Sequence, residues 1–121
     1  MVEPLVIHEG DRSPDAVPAG EGLAKTVLID GHDGAETGAL RRFTLEPGGT
    51  VPRHTNAVEH LQYVLAGEYT VGLEDTEYTV EAGDAVFVPA ETVHWYHNPG
   101  PAQGAFLCVV PPGEDEIQLR E

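Results

Sequence analysis

The residues with most chemistry to offer are the six histidines: His8, His32, His54, His60, His94 and His97. Two of them fall in one short run, Pro52-Arg53-His54-Thr55-Asn56-Ala57-Val58-Glu59-His60-Leu61-Gln62-Tyr63. Side chains two apart on a strand point to the same face, so His54 and Asn56 would look the same way. By the same rule His60, Gln62 and Val64 share a face of the next strand, while Tyr63 and Leu65 turn away as packing. His94 belongs to a later strand, with Tyr96 on its face and His97 opposite. His54, Asn56, His60 and His94 can therefore converge from three strands, with Gln62 and Tyr96 as cavity polar groups. Imidazole suits one divalent transition metal, among Fe, Mn, Ni, Cu and Zn.

Positioning such residues takes short strands, and the composition supplies them. Glycine (14) and proline (10) cut the chain into short pieces, and no stretch keeps a helical apolar period. Val, Thr, Tyr, Leu and Phe dominate the remaining runs. Expected strands are Leu5–His8, Lys25–Asp30, Ala39–Leu45, Glu59–Leu65, Glu68–Leu73, Glu77–Val80, Ala85–Val88, Val93–Tyr96 and Ala105–Val110. Turns at Pro47-Gly48-Gly49, Ala66-Gly67, Glu74-Asp75-Thr76, Ala82-Gly83-Asp84 and Asn98-Pro99-Gly100-Pro101 separate them. Gly48, Gly67 and Gly83 read as turn residues. Such spacing predicts an all-β sandwich or barrel. Glu9–Gly22 reads as a loop, and the acidic tail from Glu114 frays or lies along an edge.

At 121 residues the chain makes one domain: a core barrel over about 24–111, an N-terminal strand and loop over 1–23, and a tail over 112–121. The net charge is −15, from 21 acidic and 6 basic side chains, which excludes nucleic acid and anionic membrane surfaces as partners. A single lysine, Lys25, and dispersed acids suggest a high-salt environment, where salt screens the self-repulsion. A lone cysteine, Cys108, and no signal-peptide pattern at the start fit a cytoplasmic protein. Cys108 reads as a small buried apolar residue, with no histidine or cation beside it in sequence. Trp95 and Tyr63 read as core or interface aromatics, and His8 and His32 as surface residues. Glu59 is expected to point away from the site.

Two stretches resemble the motifs of the cupin family. The first is Gly48, five residues, His54-Thr55-Asn56, three residues, His60, six residues, Gly67. The second is Gly83, Pro89, Glu91 in place of a glycine, His94 and Asn98. Fifteen residues separate Gly67 from Gly83, similar to the gap in small microbial cupins. The resemblance implies a single-domain double-stranded β-helix, or jelly-roll barrel, and a homodimer. It also implies His54, His60 and His94 as metal ligands. His60 stands where the family commonly has glutamate, as in a histidine-rich subset. Asn56 replaces the second histidine of the pair, as a weak ligand or an outer hydrogen-bonding group. The alternative for His54 and His60 is a hydrogen-bonded, metal-free barrel interior.

Neutral ligands would leave a divalent ion its full charge and open positions, which suits binding a small chelating anion and dioxygen. The favoured function is a metal-dependent dioxygenase or oxidoreductase on a small organic substrate. The substrate would enter past apolar residues such as Val64, Phe87 and Phe106. The alternatives are a small-ligand-binding or sensing cupin, and a metal-dependent isomerase or lyase of a sugar or keto acid. Dimerisation is expected through the strand-like Val2–Ile7, whose exposed edge a partner subunit would cover.

Overall fold

The computed structural model describes residues 2–113 and 117–120. Ten strands account for most of them: β1 (Asp15–Ala16), β2 (Glu21–Ile29), β3 (Ala39–Asn56), β4 (His60–Ala66), β5 (Glu68–Leu73), β6 (Thr76–Glu81), β7 (Ala85–Val88), β8 (His94–His97), β9 (Gly104–Val110) and β10 (Ile117–Leu119). Every pairing is antiparallel. The arrangement is an all-β barrel of one curled sheet.

The 18-residue strand β3 holds it together. Its first part, Ala39–Leu45, lies between β2 and β9, and β9 leads on to β4 and β7. Its later part pairs with β8 and β10, and β8 leads on to β5 and β6. The two wings close over Leu45, Val51, Val64, Tyr69, Val71 and Phe106, all buried. Removing a side chain of this size from water contributes on the order of 1.5–3 kcal/mol.

The bend in β3 falls at the Pro47-Gly48-Gly49 signal. Gly48 takes φ +80°, which glycine adopts without a Cβ clash. Asn98 clamps the bend from β8. Its backbone carbonyl accepts from Gly48 N–H at 2.7 Å, and its own N–H donates to the Gly49 carbonyl at 2.9 Å. Its fully buried amide donates to the carbonyls of Leu45 and Ala102, both at 2.9 Å, and accepts from Gly100 N–H at 3.1 Å. The asparagine that closes the second motif is thus a structural clamp.

Several expectations need correction. Residues 2–8 form no strand. Pro4 lacks a ladder donor, and the segment lies beside Gly31–Gly34 of its own chain. The expected loop over Glu9–Gly22 contains a 3-10 turn at Glu9–Asp11, capped by His8, and the short β1 against β2. β3 does not stop at Leu45, because Gly48 lets it bend and re-pair. In the expected tail, Glu114, Asp115, Glu116 and Glu121 lie outside the described residues, while β10 pairs along β3.

Glu91, at the motif's glycine position, sits at φ +64°. Its N–H donates to the Asn56 carbonyl at 2.9 Å, so the strained turn pins a residue of the candidate site. Left-handed backbone costs a non-glycine residue roughly 1–2 kcal/mol. Glu91→Gly is therefore expected to stabilise by about 1 kcal/mol, net of the extra chain entropy of glycine. A thermal melt checks this, and a lowered midpoint refutes it.

The buried phenol of Tyr69 has no hydrogen-bond partner for its oxygen among the described residues. Burial, followed by the nearness of Tyr96, Cys108 and Asp84, pushes its pKa far above the usual tyrosine range. In the unfolded chain it ionises near pH 10. Its contribution is complete below that pH and is lost as pH rises further, because only the unfolded state releases the proton. Tyr69→Phe should be neutral or stabilising at pH 7 and should flatten the alkaline fall in stability. Denaturant midpoints from about pH 9 to 11.5, bracketing the ordinary tyrosine value, measure this.

Candidate functional site

The inward faces of β2, β3, β4, β8 and β9 enclose a cavity of about 80 Å³. That is room for several waters or a small organic ligand. His54, Asn56, His60, His94, Gln62 and Tyr96 all line it. Register explains their meeting. His54 of β3 lies opposite His94 of β8, and Val51 opposite Tyr96. On β4 the alternation turns His60 and Gln62 inward, and leaves Leu61 and Tyr63 exposed.

The imidazoles are oriented by partners behind them. His54 Nδ1 lies 2.7 Å from the Pro52 carbonyl and His94 Nδ1 lies 2.8 Å from the Thr92 carbonyl. A carbonyl only accepts, so each Nδ1 carries a proton, and in the neutral ring Nε2 holds the lone pair. The His54 and His94 rings are 4.0 Å apart between centroids, and His60 and His94 are 6.2 Å apart. Behind His60 stands Cys108, its Sγ 3.4 Å from Nδ1. The same sulfur accepts from Arg41 Nη2 at 3.3 Å. Burial is the largest influence on the thiol and disfavours its ionisation. The hydrogen bond to His60, the charges of Arg41 and His60 and the hydrogen bond to Arg41 together outweigh it, holding the pKa below the usual cysteine value. Cys108 is buried as expected, but polar contacts surround it. β9 brings it opposite Arg41 of β3 and Gln62 of β4, a cross-strand juxtaposition invisible along the chain.

Gln62 Nε2 donates to Tyr96 Oη at 2.7 Å. The other amide oxygens have nothing to accept. Among the described residues, Asn56 Oδ1 and Gln62 Oε1 are buried with no hydrogen-bond partner. A buried acceptor left unpaired costs roughly 1–3 kcal/mol. Both residues line the imidazole cavity, and a cation there would satisfy their oxygens. No cage of three or more His, Cys, Asp or Glu side chains is already assembled among the described residues. The neutral donors that are present are of types a divalent transition metal accepts.

His97 is exposed on the far side of β8, and His8 and His32 are exposed near the N-terminal turns. Glu59 is exposed. Trp95 is half-buried, with Arg53 4.2 Å over its ring and Nε1 donating to Glu77 at 3.1 Å. Of the apolar residues expected at the mouth, Phe106 lines the cavity, Val64 is buried in the core and Phe87 lies on the outer face. The sequence reading missed Arg41 and Lys25, which also line the cavity. Alternation on β2 and β3 was the available signal, since both share faces with Leu23, Phe43 and Leu45.

A curled antiparallel barrel of this kind is a jelly-roll architecture, here with an imidazole-lined cavity. The cupin domain family matches residues 41–110, more than half of the chain, and the protein belongs to that family. The polyketide cyclase RemF of Streptomyces resistomycificus is 28% identical, with TM-score 0.89, and the match covers 97% of this chain and 85% of that one. A predicted oxalate decarboxylase from Thermotoga maritima is 23% identical with TM-score 0.77, over 88% of this chain and 98% of that one, a likeness of fold. Protein SchB of Streptomyces halstedii is 24% identical over 87 residues, 71% of this chain, and the match spans 63% of that relative's length. Among the described residues no helix is long and apolar enough to cross a membrane.

Proposed function

We propose that this cupin is a metal-dependent enzyme acting on a small enolisable organic substrate, with His54, His60 and His94 as the metal ligands. One observation carries the reading: three imidazoles surround a cavity that also buries two amide oxygens without hydrogen-bond partners. Asn56 and Gln62 supply those oxygens. A divalent metal held there supplies a Lewis acid for negative charge developing on a substrate oxygen. The carbonyls of Pro52 and Thr92 keep His54 and His94 in the tautomer that ligation needs. Gln62 holds the Tyr96 phenol through its oxygen, so the phenol proton is directed elsewhere. The rings of Phe43, Phe106 and Tyr96 give the substrate a dry, flat wall.

The likeness to a polyketide cyclase, over 97% of this chain and 85% of that one, supports one reaction class. It is carbon–carbon or proton rearrangement through an enolate, without net oxidation. The second reading is oxygenation by a redox-active metal, the function favoured from sequence. One observation favours it: no Asp or Glu lines the cavity among the described residues to serve as a general base. Metal exchange separates the two. Activity retained with zinc and without oxygen uptake supports rearrangement, because zinc has no accessible redox state.

Metal analysis of protein purified without a histidine tag should find about one transition-metal ion per chain at neutral pH. His60→Ala should lose it, and Asn56→Leu or Gln62→Leu should weaken binding by roughly 10–100-fold. Full stoichiometry in His60→Ala would remove that residue from the ligand set.

In this reading the enzyme is a homodimer, but the outer face of β4, β7 and β9 is a better seat for the partner than the N-terminus. Leu61 pairs across with Phe87 and with Val109, and these three, with Tyr63 and Leu65, form an exposed uncharged apolar face. On a chain of net charge −15, such a face lets two copies meet without like-charge repulsion. Phe87→Asp should convert a dimeric mass to a monomeric one in high-salt sedimentation. A wild-type monomer there overturns the assignment.

A further inference from the structure

The two amide oxygens that lack donors in the cavity wall do not stand alike. Asn56 and Gln62 are 4% and 5% exposed, and neither Oδ1 nor Oε1 has a hydrogen-bond partner among the described residues. Asn56 belongs with the imidazoles. It lies two residues from His54 at the end of β3, and its carbonyl is held by Glu91 N–H at 2.9 Å. Gln62 belongs with the aromatic rings. It stands two residues past His60 on β4, which is about 7 Å further along the strand. Its Nε2 donates to Tyr96 Oη at 2.7 Å. Tyr96 stacks on Phe106 at 5.7 Å with 16° between their planes, and Phe106 on Phe43 at 5.0 Å with 10°.

The bond to Tyr96 decides which end of the Gln62 amide is left over. With the nitrogen engaged by the phenol oxygen, the remaining end is a carbonyl oxygen, which accepts and cannot donate. The backbone beneath it is fixed, because β4 lies between β7 and β9, with Gln62 opposite Val86 on one side and Cys108 on the other. A guest that reaches this oxygen must therefore bring a hydrogen. The surroundings narrow the kind of donor. Lys25 lines the cavity and no acidic side chain does among the described residues, which disfavours a cationic N–H donor and leaves a neutral O–H. The row of rings beside the oxygen favours a flat guest.

We propose that Gln62 is a specificity-determining residue whose amide oxygen accepts from a hydroxyl on a planar guest, so the substrate binds as an enol or a phenol. The assignment rests on the reading of this cavity as the substrate site and names the substrate class it takes. A guest of the same shape without the hydroxyl leaves the buried oxygen unpaired, and that is the basis of discrimination.

The probes are phenol, fluorobenzene, which has no donor, and anisole, which offers only an acceptor. Each is titrated at neutral pH into isotope-labelled metal-free and zinc-loaded protein, followed by NMR. Phenol should bind about tenfold more tightly than fluorobenzene, the size of one hydrogen bond, and should shift the side-chain amide signal of Gln62. Gln62→Met, similar in shape but with no acceptor oxygen, should remove the preference, and Gln62→Glu should keep it. If Gln62→Met does not fold, the comparison of the three guests on the wild type stands by itself. No binding of phenol, equal affinity for phenol and fluorobenzene in both forms, or a preference unchanged in folded Gln62→Met overturns the proposal. Tighter binding of anisole also overturns it, because the amide would then present its N–H to the guest. The metal-free arm separates this proposal from the reading beneath it. A phenol preference in protein that binds no metal leaves Gln62 assigned while the metal reading fails, and bound metal without that preference does the reverse.

Discussion

A strand that serves two wings of one sheet must bend without losing its hydrogen bonds, and β3 meets that demand. It gives its first part to β2 and β9 and its later part to β8 and β10. Buried backbone groups at the bend would be costly if left unpaired. The Asn98 amide and backbone take up the groups that the bend frees, from Leu45, Gly48 and Gly49. Everything of chemical interest hangs on this arrangement. Arg41 stands on one side of the bend and His54 and Asn56 on the other, and they face one cavity because the strand turns between them.

The cavity-lining histidines and amides were legible in sequence because their signal is local. A period of two placed His54 with Asn56, and His60 with Gln62, and the motif spacing added His94. The strands were legible for the same reason, with β5 and β7 at their expected bounds. What stayed hidden depends on pairing between distant segments. Cys108 looked isolated because its neighbours, Arg41 and His60, are 67 and 48 residues away in the chain. The continuation of β3 was hidden by a proline and two glycines that usually end strands. Here they bend one, since its edge finds new partners beyond them. The N-terminal segment had strand composition but pairs with no strand of the sheet, because composition does not supply a partner.

The distribution of charge gains meaning from the fold. Read along the chain, the acids describe only a solvated exterior. In three dimensions the scarce cations divide their work. Arg12 and Arg42 meet Asp33 and Glu9 at the surface, at 3.1 and 3.0 Å. Arg53 covers Trp95, while Arg41 and Lys25 face inward. The acidic exterior thus contrasts with a cavity wall that carries two basic side chains and, among the described residues, no acidic one.

The short β10 lies along the stretch of β3 that carries His54, Thr55 and Asn56, and Arg120 N–H reaches the Arg53 carbonyl at 2.8 Å. The backbone edge of that stretch is therefore sealed by a much later segment of the same polypeptide. A chain emerging from the ribosome makes its imidazole-bearing strands before this segment exists. A truncation or insertion that disturbs Ile117–Leu119 would therefore bear directly on the pocket's rigidity.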